Sequence, residues 1–545
     1  MSKDENRSRE SLPEQWIRLH PDLIALLTVV TGLVVRLKAA SGTFLTYDEA
    51  VHFFVANQPS WQLTFQPSPL IPHPPLLTLL LHAWRAFGTS EFVLRLPSVV
   101  LGSAFCWVSF RWMRSVLGST SALLGLIFLT FSPSLVSLSA EVRVYALLLF
   151  FASCALYWLE RALNPPKENS GSMVLSLLCL YLAILSHYSG ILFAAALGVY
   201  AVLRMATRKP SRKIVCIWLV GQAVALAICA FLFRYVAPLG PAALHAWMGD
   251  TYLHNSYFDP QHSHVFTFIA ARTVSVFQYI VLQSVVGAGA FVVFVVGIVL
   301  LAKQNSDPGT TGVRPYQLVT LLLLPFVINC IAALAGKYPY GGTRHCAFLA
   351  IFAVAGIGFA LARLVGQRPA LGMAVALVAI AACWLFPSRR LPYIARADQD
   401  RGHMQEFLAF VRQNVRPSDL IFSDNQSGML LAHYLCQQQS VTVDESVPGY
   451  GSFRCGGYHV VRTDMDAFFF NPKNFLARWR ELPTKFGLKE GETVWVVQAG
   501  WLWEESLAQQ LQHGLHGVHD LRPQSFGHNI TVFELNVVGR SGLFQ

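Results

Sequence analysis

The sequence of 545 residues is 54% hydrophobic and only 13% charged, and its mean hydropathy is +0.45. This composition excludes a chain of several soluble domains and indicates a polytopic membrane protein. The net charge of +11 is largely explained by basic loops on one side of the membrane, so it does not favour a nucleic-acid-binding function.

The chain begins with a polar segment, MSKDENRSRESLPEQWIRLH, which is too long and too mixed in charge for the basic head of a signal peptide. We interpret residues 1–21 as a cytoplasmic tail. Residues 22–387 form the predicted transmembrane domain, because they contain repeated apolar runs of membrane-spanning length. Eleven spans are predicted, at about 22–40, 92–112, 118–136, 144–162, 173–187, 190–206, 214–235, 283–302, 316–335, 346–365 and 369–387.

Every second predicted loop is rich in Lys and Arg. Short loops of this kind tend to stay in the cytoplasm. If the amino terminus is inside, the inner loops carry Arg111, Arg114, Arg161, Lys167, Arg204, Arg208, Lys209, Arg212, Lys213, Lys303, Arg314, Arg363 and Arg368. The outer segments then include a first loop (41–91), a fourth loop (236–282) and everything after residue 387. We expect a multi-pass protein of the plasma membrane, the inner membrane of a bacterium.

The first outer loop contains an adjacent acid pair, Asp48 and Glu49, directly after the first span. Two interpretations are open: the pair belongs to a functional site, or it caps and solvates a helix that runs through AVHFFVAN. The loop continues through the proline-rich QPSPLIPHPPLL to a short apolar stretch with His82 and Arg85, which is typical of an interfacial helix.

The fourth outer loop is rich in histidine, as in HAWMGDTYLHNSYFDPQHSHV. These histidines lack the spacing of a recognisable metal-ligand set, so no structural zinc is expected. A loosely held divalent ion remains an open possibility.

Residues 388–545 have the composition of a soluble domain. Met404, Phe407, Leu408, Val411 and Val415 recur at helical spacing, and DLIFSD, TVWVVQ and NITVFELN are typical of strands. We predict a small extracytoplasmic α/β domain. Its two cysteines, Cys436 and Cys455, form either a disulfide or two free thiols.

Polar residues near one face of the membrane are costly to keep and are candidates for function. On the outer face the predicted set comprises Asp48, Glu49, His73, Glu141, Arg143, Tyr145, His187, Tyr188, Lys337, Tyr338, Tyr340, Arg344 and His345. Carboxylates and cations that share a cleft suit two tasks. An ionised carboxylate can accept a proton as a general base, and Arg or Lys can bind a phosphate group.

Some of these residues also have structural interpretations. Glu141 and Arg143 are equally compatible with an ion pair at a helix start, and His187 is more typical of an ordinary interfacial histidine than of a catalyst. Arg344 and His345 are equally compatible with anchors at the membrane interface.

Several motifs carry a family resemblance. YDEA after the first span, HPPLLTLLLHAWRAFGTSEFVLRLPSVVLG, SAEVRVYALLLFFASC and the RH that opens a late span resemble the GT-C superfamily of glycosyltransferases. Within it the chain is most similar to bacterial relatives of dolichyl-phosphate-mannose protein mannosyltransferases and to lipid A aminoarabinose transferases. The resemblance covers roughly residues 20–365 and implies a mainly α fold of GT-C type.

The resemblance implies an enzyme that takes a sugar from a polyprenyl-phosphate carrier and passes it to an acceptor outside the membrane. Asp48 would be the catalytic base, and Glu49 would shape the site or orient the acceptor. Arg143 and Arg344 would lie near the carrier phosphate. His73 stands where a lysine commonly precedes the paired prolines, which argues against aminoarabinose as the sugar.

From these residues we predict a single displacement with inversion, in which the acceptor loses a proton to Asp48. The expected partners are a polyprenyl-phosphate-linked sugar, membrane lipids and a lipid, glycan or protein acceptor. Two other classes of function remain. A transporter or flippase of a lipid-linked sugar would have polar or broken spans in paired halves, and a non-catalytic assembly protein would tolerate loss of Asp48.

Overall fold

The computed structural model describes residues 12–537 except residues 67, 69, 72, 165–167, 240–248, 250–252, 389–398, 437–439, 501–504 and 515–520. Residues 1–11 of the predicted cytoplasmic tail, the basic residue Lys167 and residues 240–248 and 250–252 of the histidine-rich fourth loop therefore lie outside the described residues.

Apolar helices dominate the part of the chain before residue 388. Among the described residues, seven helices are long and apolar enough to cross a membrane: Pro21–Ala40, Glu91–Leu117, Tyr145–Ala162, Ser189–Arg208, Arg212–Val236, Ser284–Ala302 and Pro315–Leu334. The pair Ser119–Phe131 and Pro133–Ser139, which is bent by 61°, can form one more. Three further predicted spans coincide with shorter apolar helices of 17 residues: Ser170–Ser186, Leu349–Val365 and Pro369–Leu385. Each of the eleven predicted spans coincides with one of these elements, so the multi-pass character is confirmed.

The bent span has an identifiable cause. Pro133 supplies no backbone N–H, and the carbonyl groups at the end of helix Ser119–Phe131 lose their helical partners. The buried guanidinium of Arg36 donates to the carbonyl oxygens of Leu129 (3.2 Å) and Thr130 (2.8 Å). A cation at a helix carboxyl end is favourable, so Arg36 stabilises the break.

Short helices fill the segments between spans. Helices Tyr47–Ala56, Trp61–Phe65 and Leu76–Trp84, with a 3-10 turn at Arg85–Phe87, follow the first span. The stretch Leu76–Phe87 is apolar but too short to cross a bilayer, as the sequence predicts for an interfacial helix. Helix Leu12–Leu19 precedes the first span, and helix Val265–Val281 precedes span Ser284–Ala302.

The last part of the chain forms the predicted α/β domain. Its sheet has the order β2-β3-β1-β4-β6-β5, with β1 Leu420–Ser423, β2 Tyr450–Cys455, β3 Tyr458–Thr463, β4 Thr493–Ala499, β5 Gln524–Phe526 and β6 Ile530–Asn536. The central strands β3, β1 and β4 are parallel, and the outer pairs are antiparallel. Helices Arg401–Asn414, Asn425–Tyr434, Pro472–Phe486 and Leu507–Gly514 pack with it.

The α/β domain rests on the segment that follows the first span. Backbone atoms join the two, since Phe44 N–H donates to the Gln399 carbonyl and Arg401 N–H to the Gly42 carbonyl. One cluster of buried side chains contains residues of both parts, including Phe53, Leu81, Leu430 and Leu431. Of the two alternatives for Cys436 and Cys455, a disulfide or two free thiols, the structure has the disulfide.

Candidate active site

The acid pair lies at the start of helix Tyr47–Ala56, and its two members have different surroundings. Thr46 is the N-cap: its hydroxyl accepts from Glu49 N–H, and the Glu49 carboxylate accepts from Thr46 N–H at 2.9 Å. This is a capping box, so the capping interpretation holds for Glu49. Successive residues of a helix point about 100° apart. Asp48 consequently faces away from the capping contacts.

The Glu49 carboxylate is fully buried and bonded to two other parts of the chain. Arg95 donates to both of its oxygens, at 2.7 and 2.8 Å, and Val142 N–H donates at 2.9 Å. Arg95 also donates to the carbonyl oxygens of Ala40, Thr43 and Phe44. A carboxylate with this burial and these partners has no access to a substrate. Glu49 therefore holds the loop that precedes Arg143 and makes no direct contact with an acceptor; that it shapes the site stays a prediction.

Asp48 forms the centre of a cluster of charges. Its Oδ2 atom lies 2.7 Å from a terminal nitrogen of Arg143 and 3.0 Å from one of Arg344. These residues are 95 and 296 positions away in sequence, and the fold brings all three together. The Asp48 side chain is 19% exposed, Arg143 6% and Arg344 14%, so the cluster lies in a cleft that remains open to solvent.

Two opposing influences set the protonation of Asp48. Burial raises the pKa of the Asp48 carboxyl group, but the guanidinium groups of Arg143 and Arg344 together lower this pKa by more than burial raises it. The resulting pKa is about 2. The carboxylate is thus ionised at neutral pH, as a proton acceptor must be. While both arginines hold it, however, it is a weak base.

Four histidines line the cluster, and we call them the histidine row: His52, His187 and His345, which are buried, and His73, which is partly buried. Ring centroids of successive members lie 5.9, 5.7 and 5.9 Å apart. Burial, followed by the nearby charges, lowers the pKa of His73 to about 4 and lowers the pKa of the other three well below the usual value. The row is therefore neutral at pH 7, and the arginines supply the positive charge.

Aromatic groups complete the wall beside the histidine row. The Tyr145 ring lies 5.1 Å from the His187 ring, and the guanidinium carbon of Arg143 lies 5.9 Å from the Tyr145 ring centroid. The Tyr338 hydroxyl donates to the carbonyl oxygen of His345 at 3.3 Å. Within the described part of the chain, the buried Nδ1 atoms of His52 and His73 have no hydrogen-bond partner.

Two further predicted site residues have partners of their own, and a third is exposed. Glu141 accepts a hydrogen bond from Ser137 at 3.0 Å, and Tyr340 is buried with its hydroxyl 2.8 Å from that of Thr273. Lys337 is exposed.

Sequence reasoning missed two residues that matter here. His52 follows Asp48 by four positions, which places both on one face of a helix, and that spacing was the available signal. Arg95 lies inside an apolar helix, where a charge needs a partner. Its partner could not be read from the sequence, because Glu49 is 46 positions away.

No group of three or more His, Cys, Asp or Glu side chains in the described ranges is arranged to hold a metal ion. Of the fourth-loop histidines within these ranges, His262 is exposed and its ring nitrogen lies 2.7 Å from an oxygen of Asp259. The possibility of a loosely held divalent ion has not been tested and stays a prediction.

Residues 72–233 match the family model described as dolichyl-phosphate-mannose-protein mannosyltransferase. No curated protein shows a significant match to the sequence. Among solved structures, ArnT from Cupriavidus metallidurans in the apo state is 14% identical, with a TM-score of 0.50 over 96% of this chain and 98% of that one. ArnT from the same organism bound to undecaprenyl phosphate gives the same identity and TM-score over 95% and 98%. The oligosaccharyltransferase AglB from Archaeoglobus fulgidus is 13% identical, with a TM-score of 0.44 over 73% and 59%.

The chain thus shares the ArnT fold over nearly its whole length, including the α/β domain. Together with the family match, this confirms the predicted resemblance to the GT-C superfamily and the predicted fold class. His73, Arg95, Arg143 and His187 lie inside the matched residues, whereas Asp48 and Arg344 lie outside.

Proposed function

We propose that this protein is a membrane-embedded glycosyltransferase that moves a sugar from a polyprenyl-phosphate carrier to an acceptor on the extracytoplasmic face. The observation that carries the proposal is the Asp48 carboxylate held between Arg143 and Arg344. The matches to a mannosyltransferase family model and to an ArnT structure bound to undecaprenyl phosphate support it.

The two arginines would bind the carrier phosphate. Arg143 and Arg344 approach one point from different segments and are each less than 15% exposed, so their charges are only partly screened. Guanidinium groups bind phosphate oxygens well and stabilise the negative charge that develops as a phosphate leaves.

Asp48 would accept the proton of the acceptor. The acceptor oxygen or nitrogen forms a bond to the anomeric carbon as the bond from that carbon to the phosphate oxygen breaks. The displaced group is the polyprenyl phosphate, and the acceptor proton passes to Asp48. One displacement inverts the anomeric configuration. A phosphate leaving group is already anionic, so a second carboxylic acid is not required.

Donor binding would also activate the base. In the described structure Arg143 and Arg344 lower the pKa of Asp48 to about 2. A carrier phosphate that binds these guanidinium groups neutralises much of their positive charge. The effect of burial then dominates and raises the pKa of Asp48. The carboxylate would become a stronger base only when the donor is present.

The side of the membrane follows from charge and chemistry. The predicted inner loops are basic, and the α/β domain at the other side contains the Cys436–Cys455 disulfide. Disulfides persist in oxidising compartments such as the bacterial periplasm. We propose that the α/β domain and Asp48 face that compartment, in the inner membrane of a bacterium. The acceptor is a lipid, a glycan or a protein.

The proposal is tested with the full-length protein in lipid nanodiscs, supplied with labelled polyprenyl-phosphate sugars and with lipid, glycan and peptide acceptors. Transfer is expected with at least one carrier sugar. Arg143→Gln should raise the KM for the donor and lower kcat, because it removes a phosphate ligand. Arg234→Gln removes an exposed arginine and serves as the matched control. Absence of transfer with every carrier, or equal kinetics of the two variants, would contradict the proposal.

A further inference from the structure

One helix of the α/β domain, Asn425–Tyr434, packs against the helix that carries Asp48, Tyr47–Ala56. Its last residue, Tyr434, contacts the segment directly before Asp48. The Tyr434 hydroxyl accepts from Leu45 N–H at 2.8 Å and donates to the buried carboxylate of Glu91 at 3.0 Å. This hydroxyl therefore bridges the start of the Asp48 helix to span Glu91–Leu117.

The first residue of the same helix contacts the residue next to Asp48. The Tyr47 hydroxyl donates to the Asn425 side-chain oxygen at 3.3 Å, and the Tyr47 ring lies edge-on to Phe468 at 4.7 Å. The Asn425 amide group donates to the Thr463 carbonyl at 3.1 Å, which fixes the oxygen toward Tyr47. The two ends of helix Asn425–Tyr434 thus contact two residues that closely precede Asp48, Leu45 and Tyr47.

The helix is itself firmly held inside the α/β domain. The buried Asp424 carboxylate accepts from Ser427 N–H at 2.8 Å and from Phe470 N–H at 3.2 Å. Beyond the other end of the helix, the Cys436–Cys455 disulfide joins the chain to strand β2. An element fixed at both ends can transmit its position to what it contacts.

We propose that helix Asn425–Tyr434 sets the position of Asp48, with Tyr434 and Asn425 as positioning residues for the transfer reaction. This inference rests on the proposed function. Asp48 must lie within hydrogen-bond reach of the acceptor while its partners Arg143 and Arg344 belong to the transmembrane domain. The α/β domain would thus act in catalysis through the position of Asp48.

Tyr434→Phe tests the inference, because it removes the bridging hydroxyl and keeps the ring. Tyr450→Phe is the matched control: it removes a hydroxyl of the same domain that donates to the Arg478 carbonyl at 2.9 Å, away from Asp48. Kinetics are measured with the full-length protein in nanodiscs, together with the affinity for undecaprenyl phosphate. Tyr434→Phe should lower kcat at least about tenfold and leave that affinity unchanged, because misplacement of a base affects the chemical step. Tyr450→Phe should retain the wild-type kcat.

Hydrogen–deuterium exchange of residues 43–56 gives a second readout that does not depend on activity. Exchange there should be faster in Tyr434→Phe than in wild type and unchanged in Tyr450→Phe. Wild-type kcat and wild-type exchange in Tyr434→Phe would overturn the inference. A wild-type protein that transfers no sugar would instead contradict the proposed function, and the exchange measurement would still decide the positioning role.

Discussion

Neighbouring residues of identical charge have different surroundings in this protein. The buried Glu49 carboxylate accepts hydrogen bonds from Arg95, Val142 N–H and Thr46 N–H. Asp48 is partly exposed and contacts two arginines. A sequence shows that the two acids are adjacent but not which of them a helix turns toward a cleft. The sequence identified the pair and its likeness to a family motif, and only the fold separated their roles.

At the residue scale, the arginines should control the protonation of Asp48. Arg344→Gln removes one of the two charges that lower the Asp48 pKa, so the pKa should rise from about 2. The kcat/KM of the wild type should stay level as the pH falls from 7 to about 5, because Asp48 keeps its charge in the free enzyme there. In Arg344→Gln the acidic loss of kcat/KM should begin at a higher pH, as measured in a pH–rate profile.

Arg234→Gln, which changes an exposed arginine, should retain the wild-type profile. If kcat/KM fell at the same acidic pH in Arg344→Gln and in the wild type, Arg344 would not control the pKa of Asp48.

At the scale of elements, the spans were predictable and the site was not. An apolar run of about 20 residues favours a helix that crosses the bilayer, so the sequence located an apolar helix, or a bent pair of helices, at each of the eleven predicted spans. The site depends on contacts between distant segments, such as Asp48 with Arg344, and a single sequence does not contain those distances. Pairs within one helix are the exception, and the four-residue spacing of Asp48 and His52 was readable.

The bent span yields a prediction at this scale. Arg36→Met should lower the thermal stability of the protein, because the carbonyl oxygens of Leu129 and Thr130 lose their donor in an apolar environment. An unsatisfied buried acceptor costs about 1–3 kcal/mol. Lys38→Met changes an exposed cation of the same helix and should have little effect. Equal melting temperatures of the two variants in nanodiscs would show that Arg36 does not stabilise the break.

At the scale of the whole molecule, the α/β domain, the first loop and the charge cluster form one continuous end of the helical bundle. Buried apolar side chains of the domain and of the first loop belong to the same hydrophobic cluster, so the domain packs against the loop that carries Asp48. Its place on the extracytoplasmic side is a proposal that can be tested directly.

Cysteine labelling with a membrane-impermeant maleimide on spheroplasts measures that topology. In a Cys216→Ser background, Lys489→Cys in the α/β domain should be labelled in intact spheroplasts. Arg212→Cys, in a predicted inner loop, should be labelled only after permeabilisation. The opposite pattern would place Asp48 in the cytoplasm and contradict the proposed location.

The central claim is that Asp48, between Arg143 and Arg344, accepts the proton during sugar transfer. Single-turnover transfer by Asp48→Asn, from a donor identified with the wild type, tests it most directly, with Asp259→Asn as the control at an exposed acid. The account predicts transfer about a thousandfold slower in Asp48→Asn, because general bases contribute about 10²–10⁴ in rate. Affinity for undecaprenyl phosphate should be equal or higher, since no carboxylate competes for the arginines. Transfer by Asp48→Asn at the rate of Asp259→Asn would contradict the account.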